Sequence, residues 1–387
     1  MDFLKNKIGL GAFVVAVISV VYYVVVYKVS VSVKNSEVVI HGTHIETLYG
    51  TFNVHDQVIL DLIDSPAMQR TKNVHQYGVA YFLDTYKFYT RYEHSVGVWA
   101  ILRRFGAELD EQIAGLLHDA SHTVFSHLGD YIFNHSNSKS SYQDAIHEWY
   151  LNKTTVPEIL KKHGMSLNKV MHKSGHFDML ERDLPDMCAD RIEYNIKGGL
   201  VENLISRRDV SVILDALRYE DGRWFFTDAA VAYTFARISL HLTEHEWGSA
   251  GNFLMYTWAA AAVRRAMAIG LVSYDDIHFS TDDVIWHRLV TSDDPEVKKN
   301  MTKVKSYKNL YILTSAENAD HIVATKFRGI NPWVKHNGSF ERLTDLNRDF
   351  SAEYNRVKQQ VAKGWAIKLL PSDKVDNSVS EIKPIIC

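Results

Sequence analysis

The stretch LLHDASHTVFSH, residues 116–127, is the part of this chain that most restricts its fold and chemistry. It places three histidines and one aspartate within ten residues, directly after an apolar run. Histidine and aspartate side chains bind transition metals, and histidine also exchanges protons near neutral pH. The stretch is therefore either part of a metal-centred active site or a histidine-rich helix end, and the rest of the sequence has to decide between these.

Length and composition limit the class of protein. The chain has 387 residues, enough for one large domain or two modest ones. Its 43 basic and 46 acidic side chains nearly balance, which argues against strong nucleic-acid binding and against an acidic disordered chain. A hydrophobic content of 46% is sufficient for a packed core. Two cysteines, Cys188 and Cys387, cannot form a disulfide framework.

Residues 8–27, IGLGAFVVAVISVVYYVVVY, form a run of twenty residues without a charge. A helix of that length spans about 30 Å, the thickness of the hydrocarbon core of a bilayer. A buried strand pair is the alternative because valine is abundant, although strands of this length are rare. The run is also longer than the apolar region of a signal peptide. We predict a single-pass N-terminal membrane anchor that contacts the lipid bilayer. Lysines flank the segment on both sides, so the sequence does not determine on which side of the membrane the following domain lies.

The rest of the sequence predicts a mostly α-helical protein. Residues 38–54 alternate apolar and polar side chains around two glycines, which predicts a small β-hairpin. The segment EHSVGVWAILRRF places His94 on one helix face with apolar residues. Residues 250–269 predict a long helix. Beyond residue 293, HIVATKF and WAIKLL predict strands on either side of a helix that stops at Gly364.

These patterns divide the chain into four predicted parts. Residues 1–34 form the anchor and residues 35–200 a helical catalytic core with the hairpin at its entrance. Residues 201–292 continue the helical core, and residues 293–387 form a small α+β lobe with a polar tail. Further helices are predicted for EQIAGLL, residues 144–151 and residues 185–197.

Four residues of metal-ligand type stand out: His94, His118, Asp119 and Asp190. Each lies on a predicted helix or at a helix end, and the consecutive pair allows two donors to converge on one ion. Taken singly, a helical histidine or a chance His-Asp pair is weak evidence, so the combination carries the argument. Two imidazoles and two carboxylates suit one divalent transition metal, with iron, manganese or zinc preferred over cobalt, nickel or magnesium.

The order His, His-Asp, Asp and the sequence around it resemble a known enzyme family. The order of these residues is similar to that in the HD-domain phosphohydrolases. The sequence segments around them are similar to those of the deoxynucleoside triphosphate triphosphohydrolase branch of that family. The resemblance is strong over residues 54–199 and weak afterwards. The SAM domain that some enzymes of this branch carry is not recognisable in this sequence. The matching segments are SPAMQRTKNVHQYG (65–78), TRYEHSVGV (90–98), IAGLLHDASHTVFSH (113–127), IHEWY (146–150), DRIEY (190–194) and, more weakly, STDDVIWHRLVTSDDPEV (280–297).

The resemblance implies a catalytic role for residues beside the metal. His94, His118, Asp119 and Asp190 would be the metal ligands. His122 and His127 would line the phosphate side, with His127 as general acid to the leaving oxygen. A polar loop or helix cap is the alternative for these two histidines. The residues implied to orient and tune His127 are Asp130 and His147.

The resemblance also implies a set of substrate-binding residues. Gln76 would contact the sugar and base of a nucleotide. Arg91, one helical turn before His94, would reach a phosphate oxygen, because the guanidinium fork suits that geometry. Solvated surface positions are the alternatives for Arg91 and for Lys197. The remaining substrate candidates are Arg191, Tyr194 and Lys197, the last two on the helix face of Asp190.

The favoured function is metal-dependent hydrolysis of a dNTP to deoxynucleoside and triphosphate, by attack of metal-activated water on the α-phosphorus. One departure from the family is Gly198, which stands where those enzymes carry an acid that grips the sugar hydroxyl. This departure keeps open an HD-type phosphomonoesterase or cyclic-nucleotide phosphodiesterase. The alternative outside enzymes is a membrane-tethered module that binds nucleotides without turnover. The resemblance also favours a homo-oligomer.

Overall fold

The computed structural model describes residues 38–83, 87–133, 141–171 and 177–371. The predicted anchor, residues 8–27, and the polar tail after residue 371 lie outside these ranges. Across the described ranges, the structure contains no helix that is both long and apolar enough to cross a membrane. Membrane attachment therefore stays a prediction from the sequence.

Helices make up most of the described chain, as the sequence analysis predicts. The predicted helix at residues 250–269 is confirmed as Ala250–Ala268, and that of EQIAGLL as Leu109–Leu117. The helices are α1 (Gln57–Ile63), α2 (Pro66–Arg70), α3 (Arg91–Arg104), α4 (Leu109–Leu117), α5 (Leu128–Ile132), α6 (Tyr142–Asn152), α7 (Val156–Lys162), α8 (Ala189–Val201), α9 (Arg207–Ala216), α10 (Ala229–His241), a π-helical turn (Leu242–Glu246), α11 (Ala250–Ala268), α12 (Tyr274–Phe279), α13 (Asp282–Val290), α14 (Pro295–Lys305), α15 (Leu343–Leu346) and α16 (Arg348–Lys363).

The strands of the described chain form three small sheets. The predicted N-terminal hairpin is a three-stranded antiparallel sheet, because a two-residue loop after Thr47 returns the chain along β2 as a third strand. The strands are β1 (Val39–His41), β2 (His44–Thr47), β3 (Gly50–Asn53), β4 (Leu217–Glu220), β5 (Arg223–Phe226), β6 (Tyr311–Leu313), β7 (His321–Val323), β8 (Trp333–His336), β9 (Ser339–Arg342) and β10 (Trp365–Leu369).

The two C-terminal sheets connect distant parts of the sequence. Strand β10 pairs antiparallel with β6 and β7, and β7 and β10 are the strands predicted from HIVATKF and WAIKLL. The other sheet has the order β4-β5-β8-β9, with β5 and β8 parallel. This sheet joins elements on both sides of the predicted boundary at residue 293. The four-part domain division stays a prediction.

Helix α3 lies in the middle of the molecule and packs against α4 and α8. Its first three turns are buried on every face, and a capping box formed by Thr90 and Glu93 begins it. Helix α8 begins at Ala189, later than the predicted residue 185. The preceding residues are not helical because Pro185 uses its carbonyl to accept from the Asn331 backbone N–H, and Cys188 is extended.

Three apolar clusters form the interior of the described chain, and the two larger ones meet at the site. Leu117 and Ala120 belong to the cluster around α3, α4 and α8, whereas Val124 and Phe125 belong to the cluster around α11 and α14. The stretch at residues 116–127 therefore crosses from one cluster to the other. Its polar side chains lie at the junction between two rigid packing units, which is a favourable place for a precise site.

Candidate metal centre

Three helices bring the four predicted metal ligands together. His94 lies in the first turn of α3, His118 caps the end of α4, and Asp119 follows it directly. Asp190 lies in the first turn of α8, where the helix dipole favours a carboxylate. The close packing of these helices carries all four side chains to one buried point.

The ligand atoms converge within short distances. His94 Nε2 lies 3.1 Å from His118 Nε2 and 3.1 Å from Asp190 Oδ1. His118 Nε2 lies 3.5 Å from the same carboxylate oxygen. Asp119 adds its Oδ2 at 3.3 Å from His94 Nε2 and its Oδ1 at 3.6 Å from His118 Nε2. One ligand atom from each of His94, His118 and Asp190 fits within a 4.8 Å group.

The other ring nitrogens of the two histidines have acceptors of their own. His94 Nδ1 lies 2.5 Å from Glu193 Oε2, and His118 Nδ1 lies 2.7 Å from the Gly115 carbonyl oxygen. With Nδ1 donating in each ring, the two Nε2 atoms face each other at 3.1 Å, and their lone pairs repel unless a proton or a metal ion lies between them. The donor set therefore fits a divalent metal ion.

The electrostatics of the cluster also favour a cation. Burial alone would lower the pKa of His94, but the carboxylates of Glu193 and Asp190 outweigh it and raise the pKa to about 10. The pKa of His118 is raised in the same way, against burial, by Asp119 and Asp190. The two imidazoles in turn hold the pKa of Asp190 well below its usual range, although burial opposes this. Positive charge at this point is thus strongly stabilised.

Asp119 links the cluster to its neighbours. Its Oδ2 accepts from Arg91 Nη1 at 2.5 Å, and its Oδ1 lies 3.2 Å from His122 Nε2. Arg91 is 3% exposed, so the alternative of a solvated surface arginine is wrong. Its guanidinium orients a metal ligand in this structure, because burial leaves the Asp119 carboxylate as its nearest counter-charge.

His127 and Asp130 form a hydrogen-bonded pair beside the cluster. His127 Nδ1 lies 3.2 Å from Asp130 Oδ2, and the His127 side chain is 41% exposed. Burial would raise the pKa of Asp130, but the hydrogen bond from His127 outweighs it and lowers the pKa. The ring of His122 lies 5.0 Å from that of His127. Of the two histidines, His127 is thus partly exposed to solvent and His122 is buried.

Comparison with known proteins agrees with this geometry. Residues 91–194, which contain every residue of the cluster, match the HD domain family. The Metal-dependent phosphohydrolase cns2 of Cordyceps militaris is 30% identical over 267 residues, which cover 67% of this chain and 76% of that protein. This chain belongs to the HD-domain metal-dependent phosphohydrolases.

Other relatives of this HD-domain phosphohydrolase extend the comparison. The uncharacterized protein YdhJ of Bacillus subtilis is 29% identical over 332 residues, covering 84% of this chain and 98% of that protein. The bovine deoxynucleoside triphosphate triphosphohydrolase SAMHD1 is 32% identical over 100 residues only, or 22% of this chain and 17% of that enzyme. A hypothetical protein from Aquifex aeolicus has the same fold, with a TM-score of 0.57, 16% identity, and coverage of 79% and 91% of the two chains.

His147 lies one layer behind the HD-domain site. Its Nδ1 lies 2.7 Å from Ser121 Oγ, and the side chain is 1% exposed. The sequence analysis predicts that His147 orients His127; the structure shows a contact of His147 with Ser121, and the role toward His127 stays a prediction. Gln143 on the same helix donates to the His118 carbonyl at 2.6 Å. Helix α6 therefore supports the metal ligands from behind.

The predicted substrate residues occupy different positions. Tyr194 is half-buried and lies 5.7 Å, between ring centroids, from Trp247. Gln76 has a buried side-chain oxygen without a hydrogen-bond partner among the described residues. Arg191 is half-buried, with Nη2 3.3 Å from Glu181 Oε1. Gln76 and Tyr194 therefore carry polar groups that a ligand could engage.

Lys197 does not occupy the solvated surface position that was the alternative to a substrate contact. It is 6% exposed and lies over the ring of Tyr89, 5.3 Å from its centroid. Tyr89 and Glu193 are both bonded to His94 Nδ1, so Lys197 lies behind the His94 ring. The contact of Lys197 with a substrate phosphate stays a prediction.

Gly198 is packed by two side chains. A Cβ atom at this position would lie 2.8 Å from Leu242 Cδ1 and 3.7 Å from the Trp247 ring. Both residues come from the π-helical turn and its end, and such turns often reposition side chains at functional sites. The space that an acid would need at position 198 is therefore filled by apolar atoms.

Residues that the sequence analysis did not single out complete the site. Glu193 fixes His94, and Ser126 accepts from Arg91 Nε at 2.9 Å. Glu193 stands inside the quoted segment DRIEY, three residues after Asp190, and that helical spacing was the available signal. Ser126 gives no such signal, because its role depends on a turn that the sequence does not specify.

Proposed function

We propose that this chain is a nucleotide phosphohydrolase that cleaves between the nucleoside oxygen and the α-phosphorus of a dNTP. The observation that carries the proposal is the His127–Asp130 pair at 3.2 Å, in which His127 is 41% exposed, next to a buried His-Asp cluster. A nucleoside oxygen is a poor leaving group that needs a proton, and an oriented imidazole supplies one. Similarity to a triphosphohydrolase over 100 residues supports the dNTP.

The residues around the cluster have separate tasks in this proposal. His94, His118, Asp119 and Asp190 would hold the metal, which when bound lowers the pKa of water and withdraws charge from phosphorus. Asp130 fixes the ring of His127, so that Nε2 can hold the proton for the leaving oxygen. Burial, followed by the nearby Arg91, lowers the pKa of His122 to about 4, so His122 is neutral at pH 7.

The test is a substrate panel on the full chain with manganese or iron. The four dNTPs, the four rNTPs, cyclic nucleotides and p-nitrophenyl phosphate are incubated with the protein, and products are resolved by anion exchange. The proposal predicts deoxynucleoside and intact triphosphate. The release of inorganic phosphate from dNTPs would overturn it. His127→Gln should lower kcat by about 100-fold or more while retaining the metal.

A second candidate is a phosphomonoesterase or cyclic-nucleotide phosphodiesterase of the same HD type. Gly198, packed by Leu242 and Trp247, favours it, because this position carries no acid to grip a sugar hydroxyl. The same panel separates the two candidates, since this one predicts turnover of monophosphates or cyclic nucleotides in preference to dNTPs. A chain that binds nucleotides and metal without turnover would contradict both.

We also propose that residues 8–27 anchor the chain in a bilayer, on the evidence of their length and lack of charge. Replacing Val14 and Ile18 by arginine costs about 2.5–3.5 kcal/mol per residue at the centre of a membrane helix. The full chain should sediment with membranes and resist extraction by carbonate, and the double variant should not. Equal sedimentation of the two would contradict the anchor.

A further inference from the structure

A single buried carboxylate connects two loops of the site. Asp282, the first residue of α13, is fully buried. Its Oδ2 accepts from the His75 backbone N–H at 2.8 Å, and its Oδ1 accepts from the Phe125 backbone N–H at 2.6 Å. The two bonds join segments that are about fifty residues apart in the chain, and each carboxylate oxygen serves one of them.

Both loops carry residues of the proposed site immediately after the bonded residue. Gln76 follows His75, and His127 comes two residues after Phe125. Phe125 and Ser126 both have a φ of +58°, a left-handed conformation that non-glycine residues adopt only when their surroundings hold them there. The bond from Asp282 to Phe125 is one such restraint on the turn that presents His127.

Ser126 extends the connection to the metal ligands. Its hydroxyl donates to the His75 carbonyl at 2.5 Å and accepts from Arg91 Nε at 2.9 Å. Arg91 in turn donates to Asp119 Oδ2 at 2.5 Å. A continuous path of hydrogen bonds therefore leads from Asp282, through both loops, to a metal ligand.

We infer that Asp282 is a positioning residue for catalysis: its carboxylate sets the turn that aims His127 at the leaving oxygen and, through the same contacts, the loop of Gln76. The inference rests on the proposed role of His127 as general acid. It assigns a task to the segment STDDVIW, residues 280–286, which contributes none of the predicted metal ligands.

The surroundings of Asp282 define what it can do. The charged groups that act on it are Arg70, which favours the ionised form, and the neighbouring Asp283, which opposes it. Arg70 reinforces the same junction, since its Nε donates to the Ser280 carbonyl and its Nη2 to the His122 carbonyl. The ring of His75 is buried, and burial lowers its pKa to about 3, so it adds no charge at neutral pH.

The test exploits the leaving group, because only a poor leaving group needs the proton of His127. Two phosphodiesters are compared, bis(p-nitrophenyl) phosphate with an activated leaving group and diphenyl phosphate with a poorer one, on the full chain with manganese. Asp282→Asn keeps the size but places an amide N–H₂ against one of the two backbone N–H donors. The matched control is Asp283→Asn, which makes the same change at the adjacent, exposed carboxylate.

We expect Asp282→Asn to lower kcat on diphenyl phosphate by about 30-fold or more, and on bis(p-nitrophenyl) phosphate by less than about 3-fold. His127→Gln should give the same pattern, Asp283→Asn should change neither rate, and all variants should retain the metal. Equal losses on both diesters, or loss of metal from Asp282→Asn, would reduce Asp282 to a structural residue and overturn the inference.

Two further results keep the outcome clear. If Asp282→Asn does not fold, Ser126→Ala removes a single hydroxyl from the same path and should show the same dependence on the leaving group, to a smaller extent. A Ser126→Ala variant with equal losses on both diesters would contradict the inference. Failure of the chain to hydrolyse dNTPs would overturn the proposed substrate but leave the comparison of the two diesters intact.

Discussion

Glu193 illustrates how much of this site depends on one side chain behind a ligand. Its Oε2 lies 2.5 Å from His94 Nδ1, and its Oε1 accepts from the Tyr49 hydroxyl at 2.9 Å. Gly97 leaves room for it, since a Cβ there would lie 2.5 Å from Glu193 Oε1. The carboxylate is therefore held from both sides, and it fixes which nitrogen of His94 faces the metal.

The first prediction concerns this carboxylate. Glu193→Gln keeps the shape of the side chain but removes its negative charge. That charge orients the His94 ring and makes Nε2 a stronger ligand for the metal. We expect the affinity for manganese or zinc to fall by about 10- to 100-fold, measured by competition with a chromophoric chelator. Glu148→Gln, on the exposed face of α6, is the control and should leave the affinity unchanged. An unchanged affinity in Glu193→Gln would show that the carboxylate does not act on the metal.

The sequence predicts the four ligands but not their supports. His94, His118, Asp119 and Asp190 could be recognised because their types, order and neighbouring residues form a pattern along the chain. Arg91 and His147 could be recognised as polar residues near the site, but their partners Asp119 and Ser121 depend on how far each helix is rotated and buried. Side-chain partners across helices are set by packing, which the spacing of residues leaves open.

The loop of residues 74–78 and the turn at Phe125 approach each other without space for a side chain. Gly78 has a φ of +52°, and a Cβ atom there would overlap the Phe125 carbonyl oxygen and the Tyr256 hydroxyl. Glycine is thus required at this position for two reasons, the left-handed backbone and the close approach. The contact belongs to the same junction that Asp282 holds together.

The second prediction follows from this contact. Gly78→Ala should lower the free energy of unfolding by about 2 kcal/mol or more, because the methyl group forces the two loops apart and the backbone is strained. Urea denaturation measures this loss. Gly106→Ala, also at positive φ but with no atom within 4 Å of an added Cβ, isolates the backbone strain and should cost less. Equal losses in the two variants would show that the overlap at position 78 is relieved without cost.

The third prediction concerns pH. Burial raises the pKa of Asp282 to about 7, whereas an unfolded chain gives an aspartate a value near 3.9. Between these values the folded state holds the extra proton, so the contribution of this group to the free energy of unfolding decreases as pH rises from about 4 to about 7. Asp282→Asn lacks this decrease. Between pH 4 and pH 7, the free energy of unfolding of the variant should therefore rise relative to that of the wild type, by at most about 4 kcal/mol. Urea denaturation at a series of pH values measures the difference, and a difference of the opposite sign would contradict the raised pKa.

Elements with strong local signals could be predicted, and elements defined by partners could not. The long helix at Ala250–Ala268 and the strand Trp365–Leu369 have periodic patterns and clear ends. The third N-terminal strand and the later start of α8 have no local signal. The first depends on pairing with β2, and the second on the bond from the distant Asn331 backbone N–H to the Pro185 carbonyl.

At the scale of the whole molecule, the metal ligands hold three helices together. His94, His118 with Asp119, and Asp190 come from α3, the end of α4, and α8. An ion that binds the folded chain and not the unfolded one stabilises the fold by mass action. The site is therefore also a structural junction.

The fourth prediction tests this junction. Manganese at one hundred times its dissociation constant should raise the free energy of unfolding by about 2.7 kcal/mol, measured as an increase in Tm by calorimetry. His118→Ala should remove most of the increase because it lacks one of the converging nitrogens. An equal increase in Tm for His118→Ala and wild type would show that the ion binds elsewhere.

The parallel pairing of β5 with β8 has a consequence for how the protein is made. Phe225 pairs with Trp333 and Phe226 with Val334, more than a hundred residues later in the chain. During synthesis the ribosome has to release residue 334 before β5 gains this neighbour, and an unpaired strand edge is open to wrong partners until then. The adjacent Asn331 also bonds to Pro185, just before the helix of Asp190. The nascent chain therefore completes its metal-binding half only after most of its C-terminal third has emerged.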